Sequence, residues 1–251
     1  MATIISVHSF RGGTGKSNTT ANVGALLAAQ GYRVGVIDTD IQSPGIHVLF
    51  GLDPAQMVRA LNDYIWGACE IEEAVYDVTP LLGAPVSGRV FLIPSSVKPG
   101  EIARVLHEGY DAGILNDGMQ RAIESFDLDV LLIDTHPGLN EETLLSIAVS
   151  DSLLVLLRPD QQDYQGTGVT VDVARKLGVP RLLLLVNKVP GSFDPDQVRS
   201  RIEATYEAPV AAVLPHSDEL MALGSAGIFA LRPPAPPPAA QYRHVAARLI
   251  G

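Results

Sequence analysis

A glycine-rich segment near the N-terminus carries the residues with the clearest chemistry. Three glycines, Gly12, Gly13 and Gly15, are followed directly by Lys16 and Ser17. Glycines let backbone N–H groups curl around an anion, lysine adds positive charge at the β- and γ-phosphates of a nucleotide, and a serine hydroxyl can ligate Mg²⁺. The segment therefore predicts a site for a nucleoside triphosphate and its magnesium ion.

The residues on either side give this loop the setting that a phosphate-binding loop needs. An apolar, β-branched run at 4–7 predicts a buried strand before it, and a helical pattern follows from Ala21 to Gly31. The N-terminus of such a helix adds partial positive charge at the phosphates. Phe10, however, stands where the pattern Gly-x-x-x-x-Gly-Lys-Ser/Thr has its first glycine. The loop is thus a departure from the ordinary form.

Aspartates end two further apolar runs. Asp38 ends the strand predicted at 33–38, with Asp40 two residues later, and Asp134 ends the clearest buried strand, 129–134. In parallel sheets ligands bind beyond the carboxyl ends of the strands, so we expect these carboxylates to converge with the glycine loop on one nucleotide. One aspartate at a strand end is as often a helix cap as a functional group. Three beside a phosphate loop favour the functional interpretation.

Apolar runs without polar alternation, separated by helical patterns, predict one doubly wound α/β domain. Its sheet is mostly parallel and is covered by helices on both faces. We predict strands at 33–38, 90–93, 129–134, 153–157, 182–186 and 210–214, and helices at 101–107, 114–126, 166–177 and 196–205. A helix should carry Met57, Leu61 and Ile65 on one face, and 70–88 should be a surface loop. The domain should span 1–251, with a Pro-rich spacer at 233–238 before a last helix at 241–250.

Composition limits the classes of function. The 28 acidic residues outnumber the 18 basic ones, for a net charge of −10, and no Lys/Arg run supports the open alternative of DNA binding. No apolar stretch approaches the ~20 residues of a membrane span. Cys69 is the only cysteine, which excludes an intrachain disulfide and a Cys-x-x-Cys metal site. The chain starts directly at its first strand, so we expect no signal peptide and a cytoplasmic protein.

Three segments resemble the nucleotide boxes of the ParA/MinD superfamily of P-loop ATPases. Residues 11–17, Arg-Gly-Gly-Thr-Gly-Lys-Ser, resemble its deviant Walker A box, Lys-Gly-Gly-x-Gly-Lys-Ser/Thr. Residues 38–40 and 134–138 resemble the two others, and the likeness covers nearly the whole chain, with 52–126 matched only in outline. The resemblance implies a P-loop NTPase fold that binds ATP and Mg²⁺. It also implies slow, partner-stimulated hydrolysis of ATP to ADP and phosphate.

The resemblance also assigns roles to single residues. The phosphate-binding set is Gly12, Gly13, Thr14, Gly15, Lys16, Ser17 and Asn18. The magnesium set is Ser17, Asp38 and Asp134. Asp40 orients the attacking water, with Lys16 and Arg11 as the other catalytic residues. Asn187 reads adenine, and Pro215 packs against the base.

Two residues depart from the family pattern. Arg11 stands where the family has a signature lysine that reaches across a sandwich dimer to the partner's phosphates. Arginine keeps the charge and adds a bidentate donor fork, so we predict an arginine finger in trans; the alternative is that Arg11 binds a nearby carboxylate. His136 interrupts the third box, and we expect a loop histidine without a catalytic part. Asp160, Gln161 and Gln162 lie where the family has dimer-interface and switch residues.

The implied function is an ATPase switch. Mg-ATP would drive an ATP-dependent homodimer and hydrolysis would reset it, so that the cycle positions a cargo or regulates an assembly with an unidentified protein partner. The alternative is an ATP-dependent small-molecule ligase or synthetase, whose substrate pocket 52–126 could supply. Iron–sulphur carriers of related fold need more cluster ligands than Cys69 provides. Some members end in a membrane-binding helix, but here the apolar face is small, so we expect this helix to pack on the domain.

Overall fold

The computed structural model describes residues 2–232 and 237–251. In these ranges eight strands form one sheet, in the order β3-β4-β2-β5-β1-β6-β7-β8. The strands are β1 (Thr3–His8), β2 (Arg33–Asp38), β3 (Tyr76–Asp77), β4 (Arg89–Ile93), β5 (Val130–Asp134), β6 (Ser152–Leu157), β7 (Arg181–Val189) and β8 (Val210–Pro215). All neighbouring strands are parallel except the β3–β4 pair. The predicted doubly wound, mostly parallel sheet is confirmed.

Helices cover both faces of this sheet. They are α1 (Lys16–Ala29), α2 (Ile46–Leu49), α3 (Leu61–Ile65), α4 (Pro99–Glu108), α5 (Ala112–Ser125), α6 (Glu141–Ala148), α7 (Gln161–Lys176), α8 (Pro195–Tyr206), α9 (Asp218–Ala222) and α10 (Pro237–Ile250). Adjacent strand residues point to opposite faces. Ile5 accordingly joins a buried cluster with Leu27 of α1, whereas Ile4 joins another with Met119 of α5. Burial on both faces explains why the strands are apolar throughout.

The parallel register brings the functional strand ends to one level. Asp134 of β5 lies beside Val7 of β1 on one side and beside Asp38 of β2 on the other. The loops that follow these three strands therefore leave the sheet at the same edge. That edge is where a doubly wound sheet binds its ligands.

The middle of the chain differs from its predicted structure. The expected helix around Met57 is only α3, preceded by a 3₁₀ turn at Pro54–Gln56. The expected surface loop at 70–88 instead contains 3₁₀ turns and the antiparallel edge strand β3, and it buries Ile71, Val78 and Leu82. Its apolar residues have no regular spacing because they lie in or beside short 3₁₀ turns and not in one helix or strand. Pattern reading therefore fails there.

The C-terminal region confirms one expectation and corrects another. Tyr242, Val245 and Leu249 are buried in the core cluster that contains α1, so the last helix packs on the sheet as predicted. The predicted spacer falls partly on 233–236, which lies outside the described residues. Its remaining prolines, 237–238, begin α10 instead, because proline is tolerated in the first turn of a helix. Within the described ranges, no helix has the length and apolarity that crossing a bilayer requires.

A close backbone approach at the start of β4 yields a stability prediction. A Cβ added to Gly88 would overlap the carbonyl oxygen of Tyr32, where β4 joins β2. Gly88→Ala should therefore lower the free energy of unfolding by about 2 kcal/mol, as overpacking does. Gly100 is exposed in the first turn of α4 with open space around it, so Gly100→Ala should be neutral or slightly stabilising. Urea unfolding of both variants checks this, and equal midpoints would contradict it.

Candidate active site

The glycine loop between β1 and α1 adopts a conformation that suits glycine. Gly13 and Gly15 have φ angles of 75° and 101°, in the left-handed region. A Cβ at Gly15 would also come within 2.5 Å of the Asn187 amide nitrogen. Side chains at these positions would strain the backbone or displace Asn187. The loop therefore requires the glycines that the sequence supplies.

The start of α1 is arranged to receive an anion. Its N-cap is Gly15, which has no capping side chain, and its first turn contains no acidic residue. Lys16, the first residue of the helix, is only 7% exposed. Within the described part of the chain, no carboxylate forms an ion pair with it. Free helix N–H groups and a nearly buried, unpaired cation favour binding of a phosphate.

Asp38 and Asp134 form a buried carboxylate pair. Their exposures are 0% and 1%, and they lie side by side on β2 and β5. Asp38 accepts hydrogen bonds from the backbone N–H groups of Asp40 (3.0 Å) and Gly45 (3.3 Å). The Thr20 hydroxyl donates to Asp134 at 3.2 Å. Two carboxyl groups this close and this buried can both be ionised at low cost only with a cation between or beside them.

Burial raises the pKa of both carboxyl groups. For Asp38 the pKa is well above its usual range, with the charges of Asp134 and Asp40 adding to the effect of burial. For Asp134 burial raises the pKa to about 6, against the lowering effects of the Ser17 hydroxyl and the Lys16 charge. Ser17 thus lies beside Asp134, as a shared magnesium ion would require. A divalent cation would relieve the cost of ionising both carboxylates.

These residues fit magnesium that arrives with a nucleotide. Among the residues described by the structure, no three His, Cys, Asp or Glu side chains are grouped to hold a metal on their own. Mg²⁺ usually keeps several waters and binds one or two carboxylates together with substrate phosphates. Ser17, Asp38 and Asp134 supply a hydroxyl and two carboxylates next to the phosphate loop, which matches that ligand set.

Asp40 contacts the histidine that departs from the family pattern. The Nδ1 atom of His136 lies 2.7 Å from Oδ1 of Asp40. Both side chains are mostly shielded, with exposures of 22% and 13%. The sequence led us to expect a loop histidine, and the structure adds a specific carboxylate partner. In the sequence, the feature that could have indicated this contact is a titratable residue within a segment that resembles a nucleotide-binding box.

Sequence reasoning missed a second histidine, His8, at the end of β1. It is fully buried, and its Nδ1 lies 2.8 Å from the Thr135 hydroxyl, which itself donates to the carbonyl of Val7 at 3.0 Å. Nδ1 must therefore carry the hydrogen. Burial, aided by the charges of Lys16 and His136, lowers the pKa of His8 to about 3, so the ring is neutral. A titratable residue at the end of a mostly apolar strand was the available signal.

Two residues at the end of β7 hold the phosphate loop by its carbonyl groups. The Asn187 side chain donates to the carbonyl of Thr14 at 2.8 Å, and the Lys188 ammonium donates to that of Gly13 at 2.7 Å. Beside them lies a cavity of about 300 Å³. Its lining includes Gly13, Gly15, Asn18, Asn187, Pro215 and Met221. The two predicted base contacts, Asn187 and Pro215, thus face one cavity next to the loop, of a size that suits a small ligand.

Arg11 lies beside carboxylates of its own chain. Its Nη1 atom is 3.5 Å from an oxygen of Asp160 and from one of Asp163, and its side chain is 39% exposed. Arg158 holds Asp163 more closely, with its backbone N–H at 2.9 Å and its Nε at 3.0 Å. Long, partly exposed ion pairs contribute about 0–1 kcal/mol. Arg11 is therefore only weakly restrained.

The start of α7 adjoins the phosphate loop. Asp160 caps this helix by accepting from the N–H of Asp163 at 3.0 Å, and Gln161 and Gln162 are exposed in its first turn. A Cβ at Gly166 would overlap the Phe10 ring, so the loop packs directly on the helix. The predicted interface residues are therefore close to Arg11.

The buried carboxylate pair predicts how pH acts on the nucleotide-free protein. The pKa of Asp134 rises from 3.8 to about 6 on folding, so the folded state binds more protons between these values. The contribution of Asp134 to the free energy of unfolding therefore decreases as pH rises through that window, and it stays low above it. Asp134→Asn removes the charge and keeps an oxygen to accept from Thr20. With chelator present, the variant should melt about 3 °C above the wild type at pH 7.5.

At pH 4.5 this difference should shrink, because Asp134 is then protonated in the folded wild type. Asp172 is exposed on α7, so Asp172→Asn is a matched control that removes the same charge. It should leave the melting temperature unchanged at both pH values. Equal melting of Asp134→Asn and wild type at pH 7.5 would show that the buried charge carries no cost.

Comparison with known proteins agrees with this geometry. Residues 2–177 match the family model described as AAA domain. An uncharacterized ATP-binding protein of Methanocaldococcus jannaschii is 28% identical over 252 residues, covering 100% of this chain and 89% of the relative. The cell division ATPase MinD of Pyrococcus furiosus has a similar fold, with a TM-score of 0.83, 22% identity and coverage of 100% of this chain and 99% of that chain.

A metabolic enzyme shares the fold as well. Cobyrinic acid a,c-diamide synthase from Mycobacterium smegmatis, solved with ADP and magnesium, has a TM-score of 0.74 at 21% identity and covers 100% of this chain and 94% of that chain. At such identities the structural likeness establishes the fold alone. The family match goes further, because it covers more than half of the sequence. The chain belongs to the family described as AAA domain.

Proposed function

We propose that this protein is an ATP-hydrolysing switch. Mg-ATP favours a sandwich homodimer, hydrolysis returns monomers, and the cycle positions a cargo or regulates an assembly through a protein partner. One observation carries the proposal: nearly buried Lys16 has no carboxylate partner among the described residues and begins a helix with an uncapped N-terminus. This arrangement stabilises a bound polyphosphate.

The phosphate loop and the cavity beside it bind the two ends of ATP. The N–H groups of 12–17 and the Lys16 ammonium bind the β- and γ-phosphates, and Asn18 lies at the same helix start. The cavity lined by Asn187 and Pro215 receives adenine. The Asn187 amide donates one hydrogen to the loop carbonyl of Thr14 and accepts one from the Lys188 N–H, which leaves its second hydrogen and its second lone pair for the base.

Hydrolysis requires an activated water and neutralised phosphate charge. Asp40 accepts hydrogen bonds from the attacking water and holds it in line with the γ-phosphate. Ser17 and Asp134 hold the metal, and Asp38 supports its water shell. A magnesium ion held there would supply positive charge that offsets the negative charge of the phosphates. Turnover is slow until a partner completes the site.

Arg11 provides the link between nucleotide state and dimer formation. It is weakly bound to Asp160 and Asp163, and Asp163 keeps its closer partner Arg158 when Arg11 leaves. Arg11 can therefore turn to the phosphates of a partner subunit at little cost. The γ-phosphate is the differential contact that favours the dimer, and its loss removes that preference.

The synthetase alternative has no comparable support. It needs a substrate pocket formed by 52–126 next to the γ-phosphate. Two cavities in this region are lined by residues around Thr79 and Arg89. Arg89 is the first residue of β4 and lies beside Arg33, the first residue of β2, in the parallel register of these strands. The two cavities therefore lie at the amino ends of the strands, away from the phosphate loop. A third, lined by Tyr110 and His136, has a volume of only about 10 Å³.

Size-exclusion chromatography with each nucleotide tests the switch. We expect a monomer with ADP and a dimer with Mg-ATP for the wild type. Arg11→Ala should lose the shift while its Kd for ATP stays within about threefold, because the finger contacts the partner's nucleotide. Arg11→Lys should keep the shift. Arg89→Ala, at the opposite end of the sheet, is the charge-matched control.

The two parts of this proposal can fail separately. A wild type that stays monomeric with Mg-ATP would refute the dimer switch. A dimer that persists in Arg11→Ala would leave the switch in place and refute the arginine finger. Metabolite-stimulated turnover with a stoichiometric product would instead support the synthetase.

The role of Asp40 predicts a variant that is trapped in its ATP form. Asp40→Ala should bind ATP normally but hydrolyse it about 100-fold more slowly, and it should accumulate as a dimer. Lys16→Ala should instead lose ATP binding itself, because the buried cation contacts the phosphates. Nucleotide-binding titrations and single-turnover hydrolysis separate the two effects. An unaltered hydrolysis rate in Asp40→Ala would show that this carboxylate does not orient the water.

A further inference from the structure

Two donors occupy one oxygen of the Asp40 carboxylate. His136 Nδ1 lies 2.7 Å from Oδ1, and the backbone N–H of Ser43 donates to the same atom at 3.2 Å. A carboxylate only accepts hydrogen bonds, so Nδ1 of His136 carries the hydrogen. In the part of the chain that the structure describes, no donor contacts Oδ2 of Asp40. The two oxygens of this carboxylate therefore have different environments.

The contact joins two loops that are far apart along the chain. Asp40 follows β2, and His136 follows β5, 96 residues away along the chain. The His136 carbonyl accepts from the hydroxyl of Thr143, in the first turn of α6, at 3.4 Å. The backbone of His136 thus contacts α6, while its ring contacts Asp40.

Shielding makes this hydrogen bond effective. The exposures of 22% for His136 and 13% for Asp40 leave little room for water to compete for Oδ1. Hydrogen bonds to a carboxylate are stronger than neutral ones, and more so where the local dielectric is low. An aspartate on a loop otherwise has two free side-chain torsions. An imidazole donor at 2.7 Å removes most of that freedom.

We propose that His136 is a positioning residue for Asp40 in ATP hydrolysis. It occupies Oδ1 together with Ser43, so that Oδ2 faces the site and accepts a hydrogen bond from the attacking water. A correctly oriented carboxylate matters because a small misplacement of a reacting group costs a large factor in rate. The inference rests on the proposed function, since it requires that Asp40 orients the water.

Single-turnover hydrolysis by the full-length chain in excess over ATP tests the inference, because nucleotide release then does not limit the rate. His136→Ala should hydrolyse ATP about tenfold more slowly, while its Kd for a non-hydrolysable ATP analogue stays within about twofold. His136→Asn places a side-chain N–H near the position of Nδ1, so its rate should remain within about threefold of the wild type. His244→Ala, on the exposed side of α10, should change neither quantity.

The same substitution in an Asp40→Ala protein separates positioning from general stabilisation. If His136 acts through Asp40, adding His136→Ala to Asp40→Ala should slow hydrolysis by less than about twofold. The same tenfold loss in that background would overturn the inference, as would a wild-type rate in the single variant. A weakened Kd that accounts for the whole loss would also overturn it.

Failure of the proposed function looks different from failure of this inference. A wild type that does not hydrolyse ATP, or an Asp40→Ala protein as fast as wild type, refutes the role of Asp40 and the inference with it. A slow Asp40→Ala protein beside a fast His136→Ala protein refutes only the positioning role. Melting temperatures of each variant report on folding independently of these rates.

Discussion

The register of β2, β5 and β1 is the constraint on which the site depends. Hydrogen bonding between parallel strands places Asp38 directly beside Asp134, and burial on both faces of the sheet keeps water from both carboxylates. The fold thereby concentrates negative charge where charge is costly, and the raised pKa of each group is the result. A ligand that brings a divalent cation relieves this cost. Its binding would therefore also stabilise the fold, by mass action.

The phosphate loop shows how a fold keeps one kind of backbone group free. The side chains of Asn187 and Lys188 bind the carbonyl oxygens of Thr14 and Gly13 from the β7 side. The carbonyl groups are thus satisfied by protein, which leaves the N–H groups of the loop to an anion. The Gly15 N-cap has no side chain that would compete for the free N–H groups at the start of α1. The same loop thus has its carbonyl groups hydrogen-bonded by protein side chains and its N–H groups available to a ligand.

The two cations of the loop are held in contrasting ways. Lys16 is nearly buried at the start of α1, whereas Arg11 is partly exposed and 3.5 Å from each of its two carboxylate neighbours. A fixed cation suits permanent recognition of phosphate, and a loosely held one suits a contact made in only one nucleotide state. Phe10, packed on Gly166, joins this loop to α7. Arg11 therefore lies next to the exposed first turn of α7.

The sequence by itself determined the features that depend on local pattern. The glycine loop, the strands that end at Asp38 and Asp134, and the helix that buries Tyr242 were readable because spacing, apolar runs and turn residues are encoded within a few positions. Only the tertiary structure decided which groups meet. His136 contacts Asp40 across 96 residues, and Asn187 binds Thr14 across 173, because strand order and register, not chain neighbours, set those distances. The irregular 70–88 region escaped prediction for the same reason, since its short elements exist only through packing against β4 and the helices around it.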